Sequence, residues 1–198
     1  MCDSCKYNIT SDRLDACLVC LRPCGANGIC SNCKVPYDRA WFVGLRHDTL
    51  QRLVGLYKFE RVRSAYKVLG DLIIESLPQL PTDVIVVPVP TVRGHIRERG
   101  YDHATLLAKY ISGKMGLKLA RPLIRATNTK QRQASASKRK VQASEAFVVS
   151  GNIDKARPYL LIDDVMTTGA TLKYASRALK QAGASQVWVA VIARQTLN

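Results

Sequence analysis

The stretch Tyr159-Leu160-Leu161-Ile162-Asp163-Asp164-Val165-Met166-Thr167-Thr168-Gly169-Ala170-Thr171-Leu172 narrows the possible folds more than any other part of this 198-residue chain. An apolar run, two adjacent acids, a row of small and hydroxyl residues and a helical pattern follow directly on one another, which predicts a strand, a tight loop and a helix. A helix N-terminus presents unpaired N–H groups and the positive end of its dipole. A loop of short side chains leading into one therefore makes a site for a dianion. Gly169 lets the backbone approach such a ligand, and the threonine hydroxyls add donors. Two neighbouring carboxylates at the end of an apolar strand repel each other and need partners, for which sugar hydroxyls and a cation are suitable. No GxxxxGK[ST] pattern is present, which excludes a triphosphate loop of that type.

The remaining periodicities supply the frame. Val62, Ala65, Tyr66, Leu69, Leu72, Ile73 and Leu77 recur at helical spacing before Pro78, predicting a core-facing helix over about 62–77. Val84-Ile85-Val86-Val87-Pro88-Val89-Pro90 is a continuous apolar run suited to a strand buried on both faces. A basic loop and a helix over about 102–113 follow. Val148-Val149, Tyr159–Ile162 and Val187–Ala193 are further strands, with a helix from Thr171 to Ala182 between the last two. Strands alternating with helices predict an α/β fold with a parallel, doubly wound sheet, whose ligands sit at the carboxyl ends of the strands.

All seven cysteines precede residue 34, and composition changes sharply after Cys33, which puts a boundary near residue 36 between modules 1–36 and 37–198. Cys17-x2-Cys20 and Cys30-x2-Cys33, nine residues apart, have the arrangement of a zinc ribbon with four cysteine ligands. Cys2-x2-Cys5 forms a third pair and Cys24 is left over, so the spacing leaves the ligand set open. A module this short and this poor in apolar residues needs metal to fold, and four thiolates leave no open position, so the zinc is structural.

Thirty basic residues against fifteen acidic ones give a formal charge of +15, a field that favours phosphate-rich partners. Seven of the basic residues (Arg121, Arg125, Lys130, Arg132, Lys138, Arg139, Lys140) fall between Arg121 and Gln142 with no acid among them, in a segment read as a mobile loop. No run of about 18 apolar residues and no signal-peptide layout occurs, so a cytoplasmic location is expected, where cysteines hold metal in preference to disulfides.

The Tyr159–Leu172 stretch resembles the phosphoribosyl-pyrophosphate motif of type I phosphoribosyltransferases. Lys58-Phe59, Val87-Pro88-Val89-Pro90, Arg97-Glu98-Arg99-Gly100-Tyr101-Asp102-His103-Ala104 and Gln133 extend the resemblance to the ComF family of competence proteins, in which a zinc element precedes a phosphoribosyltransferase domain. The family more often has Phe-Asn where this chain has Tyr101-Asp102, and Asn where Val141 stands. The resemblance implies a type I phosphoribosyltransferase-like sheet flanked by helices, with a small N-terminal four-cysteine zinc ribbon. It implies phosphoribosyl pyrophosphate (PRPP) bound by Asp163, Asp164, Val165, Met166, Thr167, Thr168, Gly169, Ala170 and Thr171, with Mg²⁺ bridging the pyrophosphate.

Arg93, Arg97 and Arg99 follow the Val89-Pro90 loop as pyrophosphate or DNA contacts, and Arg132, Lys138 and Arg139 are further candidates. For zinc, the longer ComF relatives point to Cys17, Cys20, Cys30 and Cys33, whereas short relatives point to Cys2 and Cys5 with Cys17 and Cys20. The function implied is that of a competence protein binding PRPP and single-stranded DNA during DNA uptake, together with other proteins of the uptake machinery. The alternative is an active Mg²⁺-dependent phosphoribosyltransferase acting on an acceptor still to be named. Tyr37, Trp41, Phe42 and Tyr101 are the aromatic candidates for stacking on bases.

Overall fold

The computed structural model describes residues 1–10, 15–60, 62–126 and 146–196. Five strands form one parallel sheet in the order β1-β7-β6-β2-β3: β1 (Arg39–Leu45), β2 (Ile85–Pro88), β3 (Lys118–Leu119), β6 (Pro158–Met166) and β7 (Gln186–Arg194). Strands β4 (Leu123–Arg125) and β5 (Phe147–Val149) pair antiparallel in a separate ribbon. The helices are α1 (Asp3–Thr10), α2 (Asp48–Lys58), α3 (Ala65–Ser76), α4 (Arg93–Arg99), α5 (His103–Met115) and α6 (Ala170–Gln181).

The sheet is covered on both faces. Leu50, Val54 and Tyr57 of α2, Leu69, Leu72 and Ile73 of α3, and Leu107 and Ile111 of α5 pack with Leu160, Ile162 and Trp188 in one apolar cluster. Leu172, Ala175 and Leu179 of α6 pack with Leu161, Val189 and Val191 in the other, joined by Leu123, Phe147, Tyr37 and Leu18. Burial on both faces is what makes β2 and the first half of β6 continuous apolar runs with no alternation. The α/β fold with a parallel sheet between helices is as the periodicities predict.

Four local expectations are corrected. Phe147–Val149 does not join the parallel sheet. Its middle residue, Val148, is exposed, and it pairs antiparallel with Leu123–Arg125, a short half-wetted ribbon where a buried strand was expected. The basic stretch after β2 is a helix, α4, which ends at Gly100 in the left-handed conformation. Strand β6 does not stop at Ile162: Asp163 still faces Val191 across the sheet, and Val165 faces Ala193. An edge strand, β1, and a helix, α2, occupy residues 39–58, where no element was assigned.

The cysteine-rich segment lies directly on the sheet. Gly28 approaches Ala40 of β1 so closely that a Cβ there would fall 1.7 Å from the Ala40 carbonyl oxygen, and its φ of +66° suits glycine. The Ala40 amide donates to Asn27, the Leu18 amide to Gly28, and Leu18 is fully buried in the core beneath.

Candidate functional site

Because β2 and β6 run parallel with Pro88 opposite Ile162, the segment after β2 and the two aspartates emerge at the same edge of the sheet, and the Val89 amide donates to the Ile162 carbonyl. This is the carboxyl edge, where open α/β sheets take ligands. Adjacent strand residues face opposite sides, and the cations around the aspartates divide accordingly. Lys58, at the end of α2, places Nζ 2.8 Å from Asp164, both side chains being largely buried. Arg125, at the end of β4, attracts Asp163 from the other side, donates to the Pro90 carbonyl at 3.3 Å and stacks on Phe147.

The two carboxyls are therefore unlike. Burial raises the Asp163 carboxyl to about 7, the charge of Asp164 adds to the rise, and the Asp164 amide, Lys58 and Arg125 oppose it. Asp164 accepts from the Val165 amide at 2.5 Å and from Lys58. Without a ligand, the Asp163 carboxyl takes up a proton close to neutrality.

Lys58 is held from below. The carbonyl of Tyr57 accepts from His103 Nε2 at 3.2 Å and from the Tyr101 hydroxyl, while the Tyr57 hydroxyl donates to the His103 carbonyl at 2.9 Å. The three rings pack together, and burial lowers the pKa of His103. Asp102 caps α5, accepting from the Thr105 amide and hydroxyl, and takes the Thr91 hydroxyl at 3.0 Å. Tyr101 and Asp102, two of the three departures from the ComF pattern, thus both make definite bonds that shape this edge.

After β6 the chain turns through Thr167 and Thr168, both exposed, and Gly169 at φ +77° into the twelve-residue α6. A Cβ on Gly169 would lie 2.5 Å from Met166 Cε. The Thr168 hydroxyl accepts from the Ala170 amide at 3.4 Å. Val165 and Met166 direct their side chains into the two apolar clusters, so of the nine residues the resemblance implies for the ligand these two, like Gly169, have no side chain to offer it.

The arginines of α4 differ in setting. Arg93 and Arg97 are exposed, whereas Arg99 is half-buried and lies over the ring of Phe59 at 5.4 Å. Arg132, Lys138, Arg139, Gln133 and Val141 fall outside the described residues. Of the aromatic candidates, Tyr37 is buried, Trp41 packs edge-on to Trp188, Phe42 packs on the core, and Tyr101 is half-buried in the Tyr57–His103 group. Phe59, 62% exposed beside Lys58, was not among them. No local signal sets it above the other rings, because exposure is a tertiary property.

Cys17, Cys20, Cys30 and Cys33 come together with all four Sγ atoms within 4.8 Å of one another, and Cys20 and Cys30 are 3.5 Å apart. A tetrahedron with Zn–S bonds of about 2.3 Å has edges of about 3.8 Å, so the set fits a zinc ion. Cys2 and Cys5 lie on and beside α1, which packs on α2 and β1, and take no part in the cluster; Cys24 also stands outside it. Burial raises the Cys17 thiol, but the amides of Val19, Cys20 and Cys30 outweigh it and bring the thiol down to about 6. Burial and the neighbouring thiols push Cys33 up to about 12. Four sulfurs at such distances cannot all ionise without a cation among them.

The family model described as phosphoribosyl transferase domain matches residues 96–196, from within α4 to just past β7. Competence protein ComFC of Bacillus subtilis (strain 168) is 28% identical over 201 residues, covering 92% of this chain and 79% of that protein. Competence protein F of Haemophilus influenzae (strain ATCC 51907 / DSM 11121 / KW20 / Rd) is 28% identical over 178 residues, covering 83% of this chain and 78% of that protein. A solved structure of the allosteric regulatory enzyme of purine biosynthesis is 20% identical with a TM-score of 0.48, and covers 66% of this chain but only 26% of its own. The family match takes in both aspartates and the loop after them, and the likeness to the two competence proteins runs along most of the chain, so the chain belongs to the phosphoribosyl transferase domain family, in its ComF form.

Proposed function

We propose that this protein binds PRPP at the carboxyl edge of β6 and single-stranded DNA on the basic surface around it, as a competence protein acting in DNA uptake. The observation that carries the sugar-phosphate half is the run of Asp163 and Asp164 at the end of β6 into the Thr167–Thr171 loop and the N-terminus of α6. In this reading the loop amides and threonine hydroxyls take the 5-phosphate, and the deprotonated Asp163 and Asp164 take the ribose hydroxyls. Asp163 fits the part because ligand hydroxyls replace the proton it holds without one. The carboxylate oxygens also suit Mg²⁺, which would neutralise the pyrophosphate charge, with Arg93, Arg97 and Arg99 as cationic partners on α4.

The DNA half rests on the charge of +15 and on Phe59, an exposed ring beside Arg99 that offers a base a stacking surface. Residues 1–36 serve as the zinc module and residues 37–198 as the phosphoribosyltransferase-like domain, in a reducing, cytoplasmic setting that keeps the thiols free for metal. Thermal denaturation with PRPP, with and without Mg²⁺, tests the sugar site: a rise in melting temperature that Asp163→Asn and Asp164→Asn abolish supports it, and no rise refutes it. Retardation of single-stranded DNA at low salt tests the other half.

Membership in the phosphoribosyl transferase domain family favours a second reading, transfer of the phosphoribosyl group to an acceptor nitrogen. In that case the nitrogen attacks C1 as the bond to pyrophosphate breaks, and positioning and charge stabilisation do the catalytic work. Release of pyrophosphate on adding nucleobases or DNA separates transfer from binding alone.

A further inference from the structure

One buried side chain joins the cysteine cluster to the loop after β6. Arg194, the last residue of β7, is 6% exposed and lies opposite Met166 in the sheet. Its Nε donates to the Leu18 carbonyl at 3.0 Å and one Nη donates to the Val19 carbonyl at 3.2 Å. The other Nη donates to the Met166 carbonyl at 3.3 Å and to the carbonyls of Thr167 and Gln195. Leu18 and Val19 are the two residues between Cys17 and Cys20, and Met166 and Thr167 are the step from β6 into the loop. All five acceptors are main-chain carbonyls.

A guanidinium stays charged at any physiological pH, and its donors are fixed in one plane. Buried, it is tolerable only while those donors are occupied. The Leu18 and Val19 carbonyls face Arg194 because the chain around them is folded as a knuckle, with the Leu21 amide on the Cys17 carbonyl and the Leu18 amide on Gly28. A zinc ion on the four sulfurs would hold that knuckle closed. Its loss would free the knuckle, withdraw two of the carbonyls and leave a buried cation to find others. The same rigid plane sets the Met166 and Thr167 carbonyls, so the disturbance would reach the loop.

We infer that Arg194 is a positioning residue that makes the Thr167–Thr171 loop depend on metal at Cys17, Cys20, Cys30 and Cys33. The two sites then share a coupling free energy: zinc tightens the loop's hold on a sugar phosphate, and by linkage the ligand tightens the protein's hold on zinc. The identity of that ligand rests on the function proposed above; the coupling itself does not.

Amide hydrogen exchange on the full chain tests it, read at Lys173 and Gln195, whose amides are bonded to the carbonyls of Gly169 and Met166. In the wild type, stripping zinc should speed exchange at these two amides by about tenfold, within the usual range for coupled sites, while Leu160–Ile162 in the sheet centre stay protected. In Arg194→Met, with zinc still bound at one per chain, the same amides should already exchange at the faster rate. PRPP with Mg²⁺ should bind the zinc-loaded wild type about tenfold tighter than the stripped protein and slow zinc loss to a chelator by the same factor.

Exchange at Lys173 and Gln195 that is indifferent to zinc in the wild type, or unchanged in zinc-loaded Arg194→Met, overturns the inference. Zinc-dependent exchange without any PRPP binding upholds the coupling and removes the ligand. If Arg194→Met does not fold, Arg194→Lys, which keeps the charge but cannot reach both pairs of carbonyls, gives the same comparison.

Discussion

Lys58 and Asp164 are 2.8 Å apart and largely buried, and each answers the other's charge. Removing one partner leaves an uncompensated buried ion, so Lys58→Met should lower stability by about 3 kcal/mol in urea titration, and adding Asp164→Asn should recover much of the loss. Asp163 makes a different forecast. Its carboxyl binds a proton more tightly in the native chain, at about 7, than in the unfolded chain, at about 3.9. This group's contribution to stability is complete below about pH 4 and is lost as the pH rises through 7. The melting temperature without ligand should therefore fall between pH 4 and 7 by more in the wild type than in Asp163→Asn. The proposed sugar-phosphate binding, in which the carboxylate form of Asp163 would take part, should strengthen over the same range.

Among the elements, strand β6 and the loop after it were legible because hydrophobic runs, acids and small residues sit in an order that few folds accommodate. The extension of β6 through Asp163 to Met166 was not, since acids disfavour a strand until the length of β7 beside it supplies the hydrogen bonds. Helix α4 was hidden in a similar way: Arg93–Arg99 includes no buried residue, so no apolar stripe announces it. Strand β1 gains its place from pairing with β7 and from Gly28, whose neighbour is the Ala40 carbonyl. Main chain cannot yield as a side chain can, so Gly28→Ala should cost at least about 2 kcal/mol and speed zinc loss to a chelator, measured by urea titration and a zinc-sensitive dye. At Gly169 the obstacle is the flexible end of Met166, and Gly169→Ala should cost about 1 kcal/mol, mostly from the left-handed backbone.

For the molecule as a whole, the +15 charge predicts DNA binding that weakens steeply with salt, the logarithm of affinity falling by about 0.7 per phosphate contact for each log unit of salt. Phe59→Ala should weaken single-stranded DNA binding by about 1–3 kcal/mol with little change in that slope, whereas Arg97→Gln should reduce the slope. Both are read by fluorescence anisotropy across a salt series. No helix among the described residues is long and apolar enough to cross a membrane. Chelation of zinc should lower the melting temperature of the entire chain and not only of its first 36 residues, because Leu18 is part of the core on one face of the sheet and Val19 and Ile29 pack against it.

The sequence alone determined the parallel α/β frame, the run of two aspartates into a small-residue loop and the presence of a cysteine cluster with metal-ligand spacing, since each is written in contiguous residues or short spacings. Only the tertiary structure decided which four cysteines meet, that Lys58 and Arg125 attend the two aspartates from opposite sides, and that Arg194 touches both the knuckle and the loop. These relations join residues up to 176 positions apart in the chain. They arise from the order in which strands settle side by side, which local pattern does not encode.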